Sequence, residues 1–129
     1  MHIIVCLDDQ NAMSFGGRRQ SMDRVVRQDM LENYSPLRMS SYSASQFREE
    51  GCVADEDFLK NADRGDHCFV ETTPVEPYMD KVSKITVYRW NRAYPGDLYF
   101  PSLEGWRCIQ RTEFAGYSHE RITKEVYCR

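Results

Sequence analysis

The chain has 129 residues, which is enough for one domain with a hydrophobic core of its own. Hydrophobic residues make up 41% of it and charged residues 29%, the ordinary composition of a globular protein. The net charge of -3 argues against a nucleic-acid-binding protein, because those proteins usually carry a basic face.

The cysteines predict a reduced protein. There are five of them and no C-x-x-C motif, so a disulfide framework is not expected. Cys6, Cys68 and Cys108 lie in apolar strand-like runs, where a reduced cysteine packs as a small hydrophobic side chain. No run is apolar enough to span a membrane, and no signal peptide is visible. We therefore expect a soluble, cytoplasmic protein with one domain over residues 1–129 and no membrane contact.

The N-terminal third predicts a strand, a loop and a helix. Residues 3–7 are a continuous apolar run, which is typical of a central strand buried on both faces. Residues 10–20 contain two adjacent glycines and predict a mobile loop. Ser21 is expected to cap a helix that ends near Glu32 and carries an apolar stripe. Asp23 lies in the arc of that stripe, so it is either an acid favoured by the helix dipole or an acid placed in a functional site.

The middle of the chain predicts four short elements. They are a strand over residues 37–41, a helix over 44–49 capped by Ser43, a helix over 54–62 and an inner strand over 68–70. Because strands and helices alternate along this part of the chain, we expect parallel strands connected by helices.

The last third predicts three strands. Residues 84–90, 106–114 and 122–129 combine β-branched and aromatic residues, and turn-forming residues separate them. A polar segment joins the last two runs, which predicts an antiparallel hairpin. The whole chain therefore predicts an α/β fold, with a mainly parallel central sheet, flanking helices and an antiparallel C-terminal hairpin.

These motifs resemble the dihydrofolate reductase family over nearly the whole chain. The segment Gly96-Asp97-Leu98-Tyr99-Phe100-Pro101 is similar to a G-D-T-x-F-P-like motif of that family. A tryptophan-led strand at Trp106 follows it, and the last strand ends in Tyr127-Cys128-Arg129, as the family pattern requires. The resemblance implies the dihydrofolate reductase fold. It also implies that Asp23 stands for the acid that anchors the pterin substrate and helps to protonate it.

The chain departs from the family where the family binds NADPH. Residues 40–43 replace a Gly-Arg-x-Thr-like segment, so the arginine that would hold a cofactor phosphate is missing. Glu71 lies where the family has paired glycines, and its carboxylate would face a pyrophosphate. The adenosine-binding segment between Phe47 and Cys68 is also much shorter than usual. We therefore expect no bound cofactor, or NADPH only if a reduced form of the reductase activity remains.

The substrate side is altered as well. Tyr88 stands where the family has a threonine, and Arg27 replaces an aromatic residue one helical turn after the acid. Arg19 follows the two glycines and is a candidate to bind an anionic ligand that closes the cleft. The candidate ligand-binding residues are Val5, Arg19, Asp23, Arg27 and Tyr88. Asp23 is also the candidate catalytic residue, and no metal site is predicted.

Three functions remain open. The favoured one is a protein that has lost reduction and binds a small planar ligand or a partner protein. The second is an NADPH-dependent reductase of reduced form with Asp23 as its acid. The third is an unrelated hydrolytic activity in the same cleft. His119-Glu120 with Lys124 is a candidate acid/base group for it, unless these residues form an ordinary solvated hairpin turn.

Overall fold

The computed structural model describes residues 1–48 and 51–129. The end of the helix predicted over residues 44–49 lies outside these residues. In chain order the elements are β1 (His2–Leu7), β2 (Ala12–Phe15), β3 (Arg18–Arg19), α1 (Arg24–Tyr34), β4 (Leu37–Met39), α2 (Ser41–Ala44), β5 (Cys52–Ala54), α3 (Phe58–Asn61), β6 (His67–Val70), a 3-10 helix (Glu76–Lys81), β7 (Lys84–Arg89), β8 (Leu98–Tyr99), β9 (Arg107–Phe114) and β10 (Ile122–Cys128).

The first strand, β1, lies at the centre of a seven-stranded sheet with the order β5-β4-β6-β1-β7-β10-β9. It pairs in parallel with β6 and β7, as expected for an apolar run buried on both faces. The last strand, β10, is antiparallel to both β7 and β9. The predicted α/β architecture, with a mainly parallel sheet and an antiparallel C-terminal hairpin, is therefore confirmed.

Residues 10–20 fold as a hairpin and not as the predicted mobile loop. Ser14 of β2 pairs with Arg19 of β3, which leaves Gly16 and Gly17 as the two turn residues. Their φ angles of 59° and 73° are the left-handed values that a tight hairpin turn requires and that glycine tolerates. The other edge of β2 pairs with β8, so the three strands form a small second sheet.

The first helix starts later than the sequence predicted. Asp23, and not Ser21, is the N-cap of α1, and its carboxylate accepts hydrogen bonds from the backbone N–H groups of Val25 and Val26. The hydroxyl of Ser21 lies 3.0 Å from the ring of His119 instead. A residue distant in sequence therefore decides which of the two possible caps is used.

The two helices predicted in the middle of the chain also have different bounds. Ser40, and not Ser43, caps α2, because the hydroxyl oxygen of Ser40 accepts a hydrogen bond from the backbone N–H of Ser43. The second of these helices, α3, covers only the later part of the predicted range, whose first residue, Ala54, belongs to β5. An edge strand as short as β5 carries too few residues for an alternating apolar pattern to reveal it.

Each face of the large sheet buries one hydrophobic cluster. Alternate residues of β1 point to opposite faces, so Val5 belongs to one cluster and Ile4 to the other. The Ile4 cluster lies under α1 and includes Val26 and Met30. Among the residues described, no helix is long and apolar enough to cross a membrane.

Cysteine burial follows the strand order of the sheet. Cys68 on β6 is fully buried, as predicted, and burial raises the pKa of its thiol to about 11. Cys108 is exposed, contrary to the prediction, because β9 is an edge strand with little cover on either face. An apolar strand pattern does not distinguish an inner strand from an edge strand.

Replacing Ile85 on β7 by alanine should lower the free energy of unfolding by about 3 kcal/mol, because the fully buried side chain would leave a cavity. Ile109 on β9 is the matched control, since it is the same residue type in a strand but is 52% exposed. Ile109→Ala should change that free energy by less than about 0.5 kcal/mol. Urea denaturation measures both values, and equal losses in the two variants would contradict the strand order.

Candidate functional site

The candidate site is a cavity between the N-terminus of α1 and the carboxyl ends of β1 and β6, called here the α1 cleft. Open α/β sheets commonly bind ligands at this end of their strands. The cavity is lined by residues of five regions, including Cys6, Ser21, Asp23, Arg27 and Glu71. Its volume is about 10 Å³, which is room for one water molecule at most. Ligand pockets usually measure about 300–1,000 Å³, so the cleft is closed.

The carboxylate of Asp23 is saturated with hydrogen-bond donors. It is 2% exposed and caps α1. It also joins α1 to the loop between β9 and β10, accepting hydrogen bonds from Tyr117 N (3.0 Å), Ser118 N (2.9 Å), Ser118 Oγ (3.2 Å) and His119 Nδ1 (2.9 Å). Gly116 permits this approach, because a Cβ at that position would lie 2.6 Å from Asp23 Oδ2.

These donors decide the protonation state of Asp23. Burial by itself would raise the pKa of the carboxyl group, but the hydrogen bonds from Tyr117, His119, Ser118 and Val25 outweigh it. They hold the pKa well below its ordinary range. A general acid is efficient when its pKa lies near the working pH, so an acid that stays ionised is poorly suited to protonate a substrate.

His119 is buried next to Asp23, and the predicted solvated turn is wrong at this residue. Its ring stacks on Trp90, with the two ring centroids 4.5 Å apart. The Nε2 atom lies 3.0 Å from Ser21 Oγ and 3.1 Å from the hydroxyl oxygen of Tyr94. The predicted grouping of His119 with Lys124 is also wrong, because the Lys124 ammonium donates to the carboxylate of Asp29 in α1 at 2.8 Å.

Arg19 and Glu71 close the other half of the α1 cleft. Arg19 Nε lies 3.0 Å from Glu71 Oε2, and Gln46 Nε2 donates to the second carboxylate oxygen at 2.9 Å. The Arg19 backbone N–H also donates to the Tyr42 hydroxyl at 2.9 Å, and the guanidinium lies 4.3 Å from the centre of the Tyr42 ring. We call this cluster of Arg19, Tyr42, Gln46 and Glu71 the Arg19 bridge. It ties the β2–β3 hairpin to α2 and to the end of β6.

The remaining candidate residues lie in different places. Arg27 lines the α1 cleft, and its Nε atom has no hydrogen-bond partner among the residues described. Tyr88 is buried under α1 and donates its hydroxyl to Asp29 Oδ2, and burial together with this carboxylate raises the pKa of Tyr88 above its ordinary range. Val5 packs in the cluster on the opposite face of the sheet. Of the candidate residues, Asp23 and Arg27 therefore line the cleft, and Arg19 contacts Glu71, which also lines it.

The sequence did not reveal the partners of His119. Ser21 was assigned to the helix cap, and nothing in the pattern around it connects it to a residue 98 positions later. Trp90 and Tyr94 are ordinary strand-end and loop residues by sequence. Within residues 1–48 and 51–129, no group of three or more His, Cys, Asp or Glu side chains is arranged to hold a metal ion.

The fold is similar to that of a solved enzyme structure, dihydrofolate reductase from Enterococcus faecalis complexed with NADP(H) and RAB-propyl. The TM-score is 0.69, and the match covers 99% of this chain and 95% of that one. The chain has a dihydrofolate reductase-like fold. The identity over this match is 12%, so the likeness concerns the fold and not the activity. No family model and no curated protein matches the sequence.

Two residues of the Arg19 bridge are positions that the sequence analysis had singled out. Tyr42 and Glu71 are two of the positions at which the sequence departs from the NADPH-binding pattern of dihydrofolate reductases. In the structure both contact Arg19. The departures are therefore coupled, because one arginine of the β2–β3 hairpin satisfies the hydrogen bonds and the charge that they introduce.

Asp23→Ala should lower the free energy of unfolding by about 3 kcal/mol, because it removes a charged cap and leaves buried donors unpaired. Asp57 is the matched control, since it is the N-cap of α3 but its side chain makes no capping hydrogen bond. Asp57→Ala should cost less than about 0.5 kcal/mol. Denaturant titration of the two variants measures the contrast.

The pH dependence should identify the ionised form of Asp23 as the stabilising one. Its folded-state pKa lies below the ordinary value of 3.8, so the contribution is complete above that pH and is lost as the pH falls towards the folded-state pKa. The difference in stability between the wild type and Asp23→Asn should therefore shrink when the pH is lowered from about 7 to about 3. A difference that grows on acidification would show that the sign is reversed.

Arg19→Ala should lower the free energy of unfolding by about 2 kcal/mol, because the buried carboxylate of Glu71 would lose its counter-charge. The exposed neighbour Arg18, on the same short strand, is the control. Arg18→Ala should stay within about 0.5 kcal/mol of the wild type. If the double variant Arg19→Ala/Glu71→Ala is no more stable than Arg19→Ala, the two side chains are not coupled.

Proposed function

We propose that this chain does not carry out NADPH-dependent reduction and that it acts by binding a small ligand or a partner protein. The observation that carries the proposal is the Arg19 bridge. It joins Arg19 to Tyr42 and Glu71, which stand at positions where the family resemblance implies contacts with the cofactor, and it uses side chains of this chain alone.

The charge pattern supports the loss of the cofactor. A dinucleotide brings a negatively charged pyrophosphate, which favours backbone N–H groups and arginine side chains as partners. Here the carboxylate of Glu71 lies at the end of β6, and the guanidinium of Arg19 already neutralises it. Binding NADPH would require the ion pair between Arg19 and Glu71 to break. It would also place the buried carboxylate of Glu71 next to another anion, and both changes cost free energy.

The state of Asp23 argues against the alternative of a retained reductase. In that alternative Asp23 donates or relays the proton that accompanies hydride transfer. Its carboxylate is ionised, and both oxygens accept hydrogen bonds from the start of α1 or from the β9–β10 loop. The residue therefore behaves as a structural connection between two segments.

Of the two kinds of binding partner, the geometry favours a protein. The α1 cleft has a volume of about 10 Å³, which is too small for a planar ligand. Outside it, Met22 and Tyr117 flank the contact between α1 and the β9–β10 loop and are 48% and 69% exposed. Exposed large apolar side chains of this kind are common where a partner binds. The cytoplasmic location and the absence of nucleic-acid partners stay predictions.

NADPH at about 1 mM should leave the melting temperature of the wild type unchanged, because a ligand stabilises only a state that it binds. Dihydrofolate should not be reduced under the same conditions. A known dihydrofolate reductase serves as the positive control and should shift by several degrees, since binding at about 100 times Kd contributes about 2.7 kcal/mol.

A double variant tests whether the Arg19 bridge is what excludes NADPH. Arg19→Ala/Glu71→Gly removes the bridge and the anionic side chain together, so any melting shift that NADPH causes in this variant alone would attribute the exclusion to the bridge. A shift in the wild type, accompanied by dihydrofolate-dependent oxidation of NADPH, would overturn the proposed function.

A further inference from the structure

Three polar side chains line up at the start of α1. Asp23 Oδ2 lies 2.9 Å from His119 Nδ1, and His119 Nε2 lies 3.0 Å from Ser21 Oγ. The carboxylate of Asp23 contacts one nitrogen of the imidazole ring, and the hydroxyl of Ser21 contacts the other. This is the arrangement by which serine hydrolases on unrelated folds activate a serine, and it is recognised by geometry and not by sequence position.

The protonation states follow from the surroundings. Backbone N–H groups of Tyr117 and Ser118 keep Asp23 ionised, so its carboxylate only accepts hydrogen bonds. His119 must therefore carry its proton on Nδ1 when the ring is neutral, and the lone pair of Nε2 faces the Ser21 hydroxyl. A neutral imidazole held in this tautomer next to a hydroxyl is the state that a general base requires.

We propose that Ser21 is a nucleophile for acyl transfer, with His119 as its general base and Asp23 as the positioning residue. The substrate class is carboxylic esters. This activity goes beyond the proposed binding function and does not depend on it, because neither NADPH nor the Arg19 bridge takes part in the chemical steps.

The chemical steps balance without a cofactor. Ser21 Oγ forms a bond to the acyl carbon while its proton moves to His119 Nε2. The bond between the acyl carbon and the alcohol oxygen then breaks, and His119 returns the proton to the departing alcohol. Water, deprotonated in turn by His119, attacks the acyl-serine, which releases the carboxylic acid and restores the Ser21 hydroxyl.

The surroundings of Ser21 supply the other requirements. Ser21 is only partly buried, so a substrate can reach it. The backbone N–H groups of Met22 and Asp23, directly after it, have no hydrogen-bond partner in the part of the chain that the structure describes. Donors in this position relative to a nucleophile stabilise the oxyanion of the tetrahedral intermediate.

An open groove lies next to Ser21, because Met22, the residue that follows it, is part of the groove lining. It has a volume of about 360 Å³ and shares Met22 and Arg27 with the cavity that Ser21 lines. The Nε atom of Arg27 has no hydrogen-bond partner among the residues described. A guanidinium with an unused donor is suited to a carboxylate, so the groove favours an ester that carries a negative charge.

The contact between the Tyr94 hydroxyl and His119 gives a further test of the role of His119. Its hydroxyl lies 3.1 Å from the same Nε2 atom, so two hydroxyl groups compete for one lone pair. Removing the Tyr94 hydroxyl leaves Ser21 as the one hydroxyl group beside His119 Nε2 within residues 1–48 and 51–129. If His119 is a base for Ser21, Tyr94→Phe should preserve or increase the reactivity of Ser21, whereas His119→Asn should abolish it.

The test uses a fluorophosphonate probe, which phosphonylates an activated serine with loss of fluoride. The wild type should gain one adduct by intact mass, and peptide mapping should place it on Ser21. Ser21→Ala and His119→Asn should lose at least about tenfold in labelling rate, while Ser102→Ala, which changes an exposed serine elsewhere, should match the wild type. Melting temperatures confirm that Ser21→Ala is folded.

The mapping on the wild type decides the outcome even if a variant fails to fold. No adduct, or an adduct on any other residue, overturns the proposal. For the substrate class, enzyme-catalysed hydrolysis of p-nitrophenyl hemisuccinate, measured above its fast spontaneous hydrolysis, should have a higher kcat/KM than that of p-nitrophenyl acetate, and Arg27→Ala should remove that preference. Equal rates on the two esters would overturn the assignment of an anionic substrate. None of these results depends on NADPH binding, so they are separable from a failure of the proposed function.

Discussion

The structure depends on the carboxylate of Asp23 and the donors that converge on it. This one group caps α1 and also holds the β9–β10 loop through two backbone N–H groups and the ring of His119. The helix start and the loop are more than 90 residues apart in sequence. The His119 contact is buried and the two backbone N–H contacts are partly buried, so the carboxylate links the start of α1 to the loop of the C-terminal hairpin.

The Arg19 bridge also joins segments that are far apart in sequence around one buried carboxylate, that of Glu71. A hairpin from the small sheet, the short helix α2 and the end of β6 meet around the carboxylate of Glu71. Side chains of the protein therefore occupy the space on both sides of the cleft. The fold is dihydrofolate reductase-like. Within it, both oxygens of the Asp23 carboxylate accept hydrogen bonds, and the carboxylate of Glu71 is paired with Arg19.

The contacts of Asp23 also place a histidine beside a serine. An aspartate that stays ionised cannot act as a proton donor, but it orients a histidine well. His119, oriented in this way, lies against the hydroxyl of Ser21 at the partly exposed start of α1. The binding function that we propose follows from the Arg19 bridge, and the proposed acyl-transfer activity follows from the contacts of His119 with Asp23 and Ser21.

The sequence alone determined the α/β class, the central strand β1, the C-terminal hairpin and the resemblance to dihydrofolate reductases, because apolar runs and turn residues act locally and their periodicity survives in a single chain. Of the site residues that it predicted, Asp23 and Arg27 line the α1 cleft, and Arg19 contacts Glu71, which also lines it; their roles stay predictions. Only the tertiary structure decided that Asp23 and not Ser21 caps α1, that Arg19 pairs with Glu71, and that His119 lies beside Ser21. Each of these contacts joins residues far apart in sequence, and hydrogen-bond partners chosen at that distance leave no local pattern to detect.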